Sequence, residues 1–287
     1  MRILLTGATG FVGGALAQLL RSKTHEVRSV SRGAGGDHDW SDASLEAGVE
    51  WCEAVVHLAG ENLFGKRWSA ATKERLRQSR TDTTRRLAEL CARHAPRTFL
   101  SASAVGYYGP SEQQGLTESS PAGDDFLARL CVDWEAAQAP AHEADVRCLT
   151  LRIGVVLGAG GGALQKMLLP FRLGAGGRVG SGRQWFPWVH LDDLVALIAH
   201  LLEHEECAGI YNATDPQPVT NADFTRAMGR VLRRPTLLPA PGFALKLALG
   251  EVADVLLTGQ HVLPARALES GFEFAHPEIE GALRATL

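Results

Sequence analysis

The 287-residue sequence predicts a doubly wound α/β fold, a parallel sheet with a smaller, mostly helical region at its C-terminus, and three observations carry that expectation. The first is the opening. Residues 2–5 form a short apolar run, Thr6-Gly7 breaks it, and Phe11, Leu16, Leu19 and Leu20 then recur at helical spacing, which reads as strand, turn, helix. The second is repetition: further strand-like runs at 26–32, 54–58, 97–101 and 147–157 alternate with helix-like stretches at 69–94, 124–137, 163–173 and 190–204. The third is composition, 45% hydrophobic and 21% charged, which is enough for a large core in one α/β unit or in a main domain with a smaller one.

Gly7, Gly10 and Gly13 have the spacing G-x-x-G-x-x-G, a variant of the dinucleotide fingerprint of Rossmann-type folds. Absent side chains let the backbone approach a pyrophosphate resting on the helix N-terminus, so Gly7, Thr9, Gly10, Phe11, Val12 and Gly13 are candidate cofactor contacts. A tight glycine turn with no ligand is the alternative. Net charge is -3 and the pI about 6.4, too acidic overall for a nucleic-acid groove or an anionic membrane. No apolar run approaches the roughly 20 residues that span a bilayer, and a strand at the very start leaves no room for a signal peptide. Cys52, Cys91, Cys131, Cys148 and Cys207 are isolated, odd in number and free of C-x-x-C spacing, which fits a reducing cytoplasm and no metal site.

The second strand runs from Glu26 into Ser31 and Arg32, followed by a glycine-rich loop over 33–36. NAD-selective folds close this strand with an acid that accepts hydrogen bonds from the adenosine ribose, whereas a basic residue can pair a 2′-phosphate. Ser31-Arg32 therefore favours NADP over NAD, the alternative being a solvated charge. The strand over 54–58 delivers Leu58, Ala59, Gly60 and Glu61 to the carboxyl edge, where ligands sit. In the helix over 69–94, with Ser69 as N-cap, Arg80 falls on the apolar stripe and needs a partner: a cofactor phosphate, a carboxylate such as Glu61, or water at the rim.

The strand over 97–101 brings Ser101 and then Ser103, Tyr107 and Tyr108 to the same edge. The sixth core strand, 147–157, is nearly all apolar between Arg147 and Arg152, as a strand covered on both faces should be. The run 158–162 reads equally as a second anion cradle or a lid hinge, and 174–190 as a loop with a short hairpin leading to a substrate cleft. Asn221 is a good cap for the helix that follows.

These segments resemble a known family. The opening glycine motif, Val55-Val56-His57-Leu58-Ala59, the Ser-rich strand end running into Val105-Gly106-Tyr107-Tyr108-Gly109, and Trp188-Val189-His190-Leu191-Asp192-Asp193 are similar to the extended short-chain dehydrogenases/reductases of the NAD(P)-dependent epimerase/dehydratase type. Ala59-Gly60-Glu61-Asn62, the glycine run at 158–162, Pro170 to Gly174 and Gln184 to His190 resemble its atypical "epimerase family protein" subgroup, which carries a small C-terminal domain of unknown function. The resemblance implies a dinucleotide-binding domain over 1–235, with a substrate-loop insertion at about 158–190, and a small domain over 236–287.

The resemblance also implies that Ser103 hydrogen-bonds the reacting substrate oxygen and that Val155 and Val156 border the nicotinamide end of the cofactor. The Tyr-x-x-x-Lys pair of ordinary members, a tyrosinate acid/base held at low pKa by the lysine, registers on Leu127 and Cys131 when Glu135 is matched to a family glutamate, so both groups are missing. Tyr107, Tyr108 and Glu61 are the candidate replacements, and Cys131 is either a reactive thiol or a small buried hydrophobe. Phe186 and Pro187 fill the places of the Arg-Asp pair that marks nucleotide-sugar members, which argues against a nucleotide sugar. Trp185, Phe186 and Trp188 suggest an apolar substrate wall or a hydrophobic plug, with Arg178 and Arg183 as anion contacts. Two functions follow: an NADP-dependent oxidoreductase or epimerase on a small molecule, or a non-catalytic NADP-binding sensor or scaffold. Charges on the helices over 69–94 and 124–137 favour a monomer over the four-helix dimer of extended members.

Overall fold

The computed structural model describes all residues except 34, 66 and 112–114, so one position of the 33–36 loop lies outside the described residues. The elements are β1 (Arg2–Thr6), α1 (Phe11–Ser22), β2 (Glu26–Val30), α2 (Asp42–Trp51), β3 (Ala54–His57), α3 (Ala70–His94), β4 (Thr98–Ala104) and a 3-10 turn (Val105–Tyr108). Then follow α4 (Phe126–Ala136), α5 (Ala139–Glu143), β5 (Arg147–Ile153), β6 (Val155–Leu157), α6 (Gly162–Arg172), β7 (Trp185–Phe186), β8 (Trp188–His190), α7 (Leu191–Glu203) and β9 (Gly209–Ala213). The chain ends with β10 (Val219–Thr220), α8 (Asn221–Leu232), α9 (Gly242–Leu249), α10 (Val252–Leu257), α11 (Ala265–Glu269) and α12 (Ile279–Thr286).

Six parallel strands in the order β2-β1-β3-β4-β5-β9 form the main sheet. Alternation along each strand divides its side chains between two buried faces. Ile3, Leu5, Val56 and Leu149 join α1 and α7 on one side, while Leu4, Val55, Phe99 and Cys148 join α2 and α3 on the other. The chain leaves β1 for β2, then crosses back to β3, so the carboxyl ends of β1 and β3 part at a topological switch point, where an open α/β sheet binds its ligand.

Several expectations need correction. The 147–157 run is two strands, and its main-sheet part is the fifth strand along the chain. It breaks at Gly154, where a Cβ would lie 2.5 Å from the Pro187 carbonyl oxygen, and β6 pairs with β8 outside the main sheet. The hairpin expected within 174–190 does not form, because β7 pairs with β10 instead. Thr220, not Asn221, caps α8 through a reciprocal box with Asp223, and the Asn221 side chain instead accepts from the Val179 amide at 2.8 Å. As expected, Ser69 caps α3, accepting from the Thr72 amide. The C-terminal helices return to the body: α12 packs on α8, and α11 on β9.

Candidate dinucleotide and substrate cleft

The turn after β1 depends on missing side chains. Gly7 has φ +77°, and a Cβ there would meet the Leu58 carbonyl carbon at 2.9 Å; a Cβ on Gly13 would reach the Gly7 carbonyl oxygen at 2.2 Å. Gly10 is the N-cap of α1 and offers no side chain, so no side-chain acceptor satisfies the helix's first amides. An amide cluster left this way suits an oxyanion, and the cradle fits a dinucleotide pyrophosphate. Thr9 and Gly10 are exposed at its lip, and Phe11 and Val12 are half-buried. The Phe11 ring lies on the 158–162 run: Cβ atoms at Gly158, Gly161 and Gly162 would come within 2.9, 2.4 and 2.8 Å of it. The close approach of that ring accounts for these three glycines.

Arg32 stands exposed just beyond β2, with no hydrogen bond or ion pair to a described residue. Ser31 accepts from the Gly33 amide through its hydroxyl at 3.1 Å. The nearby Asp37 carboxylate turns away, accepting from the Ser29 amide at 2.7 Å and hydroxyl at 3.0 Å, and the amide bond holds it below the usual carboxylate range. At the end of β3, Leu58 and Ala59 are half-buried and Gly60 is exposed. Beneath them His57 is fully buried between the Thr6 hydroxyl at 2.7 Å and the Thr83 hydroxyl at 3.3 Å, and burial depresses its pKa to about 3, so it stays neutral.

Arg80 is buried, and it does not pair with the Glu61 carboxylate. Its guanidinium donates to the carbonyls of Glu61 at 2.9 Å and Leu76 at 3.1 Å and lies over the Trp134 ring at 5.2 Å. The Glu61 carboxylate points elsewhere, 3.6 Å from Arg75 on the surface.

At the end of β4 a buried polar network replaces simple packing. Ser103 donates to Glu135 Oε1 at 2.7 Å, and Arg152 grips both oxygens of that carboxylate from Nε at 2.9 Å and Nη2 at 2.8 Å. Nη1 of Arg152 donates to the Tyr108 hydroxyl at 3.0 Å, which donates on to Asn212 Oδ1 at 2.7 Å. Glu118 accepts from the Asn212 amide at 2.9 Å and the Arg266 amide at 3.3 Å, tying the network to the C-terminal region. Tyr108 is thus committed and buried, and burial raises its pKa. The half-buried Tyr107 ring lies flat on Arg152, its centroid 3.3 Å from the guanidinium carbon. Ser101 is fully buried within the sheet, and Val155 and Val156 are half-buried at the start of β6. In the sequence Arg152 marks only the end of an apolar run; a cation inside a strand buried on both faces is the signal there for this network.

Leu127 and Cys131 both face the 3-10 turn, 3.3 and 3.8 Å from where a Cβ on Gly106 would stand. Cys131 is buried and burial pushes its thiol up to about 12, so it is a packed hydrophobe rather than a nucleophile. Two of the three aromatics expected at the cleft belong to the core: Trp188 is buried and Phe186 stacks on Phe224. Trp185 is half-buried, edge-on to His261, a residue the sequence did not single out.

Asp215, buried after β9, accepts from the Gln217 amide with Oδ1, while Oδ2 has no partner among the described residues. Burial raises its pKa to about 8, with Asp193 adding to the shift. The folded chain therefore binds a proton more readily than the unfolded one, and stability is lost as pH rises from about 4 through 8, by about 1.4 kcal/mol per unit titrated. Asp215→Asn should flatten that slope and raise stability at pH 8 more than at pH 5. Urea unfolding at both pH values would show parallel wild-type and variant behaviour if Asp215 were not strained.

An uncapped helix start at the switch point of an all-parallel sheet defines the class: a dinucleotide-binding protein of the Rossmann type. The chain belongs to the NAD dependent epimerase/dehydratase family, whose model matches residues 3–214, and a domain of unknown function (DUF1731) matches residues 240–286. It is 43% identical to mouse "Epimerase family protein SDR39U1" over 291 residues, covering 99% of each chain. It is 41% identical to "Epimerase family protein ML0860" of Mycobacterium leprae, covering 98% of this chain and 94% of that one. A crystal structure of human epimerase family protein SDR39U1 (isoform2) with NADPH matches at a TM-score of 0.94 and 40% identity, covering 99% of this chain and 98% of that one. Among the described residues no helix is long and apolar enough to cross a membrane.

Proposed function

We propose that the chain binds NADP(H) in preference to NAD(H) and works as an oxidoreductase or epimerase of the extended short-chain type on a small, partly apolar substrate other than a nucleotide sugar. The observation that carries the cofactor preference is Arg32, an exposed cation just beyond β2 with no ion pair to a described residue, beside a carboxylate that is turned away. The NADPH in the human relative's crystal supports the same reading. Gly7 to Gly13 hold the pyrophosphate; Ser31 and Arg32 hold the adenosine end; and Leu58 to Glu61, Val155 and Val156 border the rest, with Arg80 and Ser101 fixing that edge from behind. A bound nicotinamide supplies hydride transfer.

Proton handling falls to this chain's own residues. Ser103 already donates to Glu135, and beside the Cys131 thiol that bonds to it its oxygen keeps one lone pair for a substrate hydroxyl. Ser103 accepts the substrate proton as its own passes to the Glu135 carboxylate, which Arg152 holds in place through both oxygens. In this reading the relay takes over the work of the missing tyrosine and lysine; Tyr107 remains the aromatic candidate beside it, whereas Tyr108 and Glu61 are engaged elsewhere. Buried, unpaired cysteines support a reducing compartment such as the cytoplasm.

Nicotinamide absorbance, followed across hydroxy and carbonyl compounds, tests the activity. Turnover should fall at least about a hundredfold in Ser103→Ala with NADPH binding unchanged. Tight NADPH binding without turnover of any compound would leave the second reading, a non-catalytic sensor or scaffold, which the apolar Leu127 and Cys131 favour.

A further inference from the structure

The overall charge of -3 conceals a sharp segregation. Between Gly154 and His190 the sequence has four basic and no acidic residues, and between Phe224 and Gly250 it has five basic and no acidic ones. The fold lays these stretches side by side: the Ala240 amide donates to the Arg178 carbonyl at 2.9 Å, and Val179 and Ala240 form a parallel bridge. Lys166, Arg172, Arg233 and Arg234 are exposed here without an ion pair to a described residue.

The same face is apolar. Leu173, Leu237, Leu238, Phe243 and Leu247 are each between 65% and 85% exposed. Helix α9, apolar all round except for Lys246, has no buried residue at all. An apolar helix is normally covered, and a short apolar stretch flanked by cations is the pattern of a segment lying in the bilayer interface. The carboxylates closest in sequence, Glu251 and Asp254, are already paired with Lys73 and Lys246.

We propose that this face, built from the end of α6, residues 233–241 and α9, docks peripherally on an anionic lipid bilayer surface. Phe243 and Leu247 enter the headgroup boundary, and Lys166, Arg172, Arg233 and Arg234 meet the lipid charge. The face also explains how an acidic protein could bind a membrane that its net charge argues against: the attraction is local, within a Debye length of the surface.

Co-sedimentation with phosphatidylcholine vesicles, with and without phosphatidylserine, tests this in the full chain. Binding should require phosphatidylserine, weaken with salt, and fall roughly 25-fold in the double variant Arg233→Gln/Arg234→Gln, at about fivefold per cation lost. Phe243→Ser/Leu247→Ser should also abolish it while leaving thermal unfolding unchanged, because neither side chain is buried. No vesicle binding, or equal binding to neutral vesicles, would overturn the proposal. So would a dimer in lipid-free solution that Phe243→Ser/Leu247→Ser splits into monomers, which would assign the face to a second copy of the chain.

Discussion

Glu135→Ala is expected to destabilise the protein by about 3–5 kcal/mol, because it leaves the Arg152 guanidinium buried without its counter-charge. Arg152 is only 1% exposed and Glu135 13%, and the two make a bidentate pair at the centre of the sheet's carboxyl edge. The loss should spread, since Arg152 also fixes the Tyr108 hydroxyl and the Glu118 carbonyl. Replacing both partners, Glu135→Leu with Arg152→Met, should recover much of the stability, because a packed apolar pair carries no desolvation penalty. Urea unfolding of the three variants checks this, and a single-variant loss below about 1 kcal/mol would show that water enters the network and screens it.

Gly13→Ala should reduce NADPH affinity at least about a hundredfold, or roughly 2.7 kcal/mol. The new Cβ would lie 2.2 Å from the Gly7 carbonyl oxygen and 2.7 Å from its carbon, both backbone atoms, so the turn that presents the α1 amides must move. Gly14→Ala is the matched control. Its Cβ would meet only the Ala8 carbonyl oxygen at 3.5 Å, an ordinary contact on an exposed helix position, and the substitution should stabilise α1 slightly. Titration calorimetry with NADPH separates the two, and equal affinity in both variants would mean that the turn does not hold the cofactor.

What the sequence made legible was local. The strand cores could be read because a strand covered on both faces is a continuous apolar run, and α3 because its N-cap and its stripe of Leu76, Arg80, Leu87 and Cys91 lie within one helix. What it hid depends on distant partners. Gly154 ends β5 because Pro187, far along the chain, fills the space its side chain would need. Phe186 and Trp188 look like a cleft wall until α8 brings Phe224 against them. That Arg80 needs a partner was legible, but not that carbonyls of its own helix and of the β3 exit take its hydrogen bonds. Neither the Ser103–Glu135–Arg152 chain nor the face around α9 could be read from spacing, because each joins segments that only the folded sheet makes adjacent.

If the cradle takes NADP(H) and Arg32 reads its 2′-phosphate, calorimetric titration with NADPH and NADH should show it in the wild-type chain and in Arg32→Ala. The wild-type chain should bind NADPH more tightly than NADH, and the variant should lose about tenfold to a hundredfold for NADPH alone, the worth of one charge-assisted phosphate contact. Equal affinity for the two cofactors, or an equal loss for both in Arg32→Ala, would contradict it.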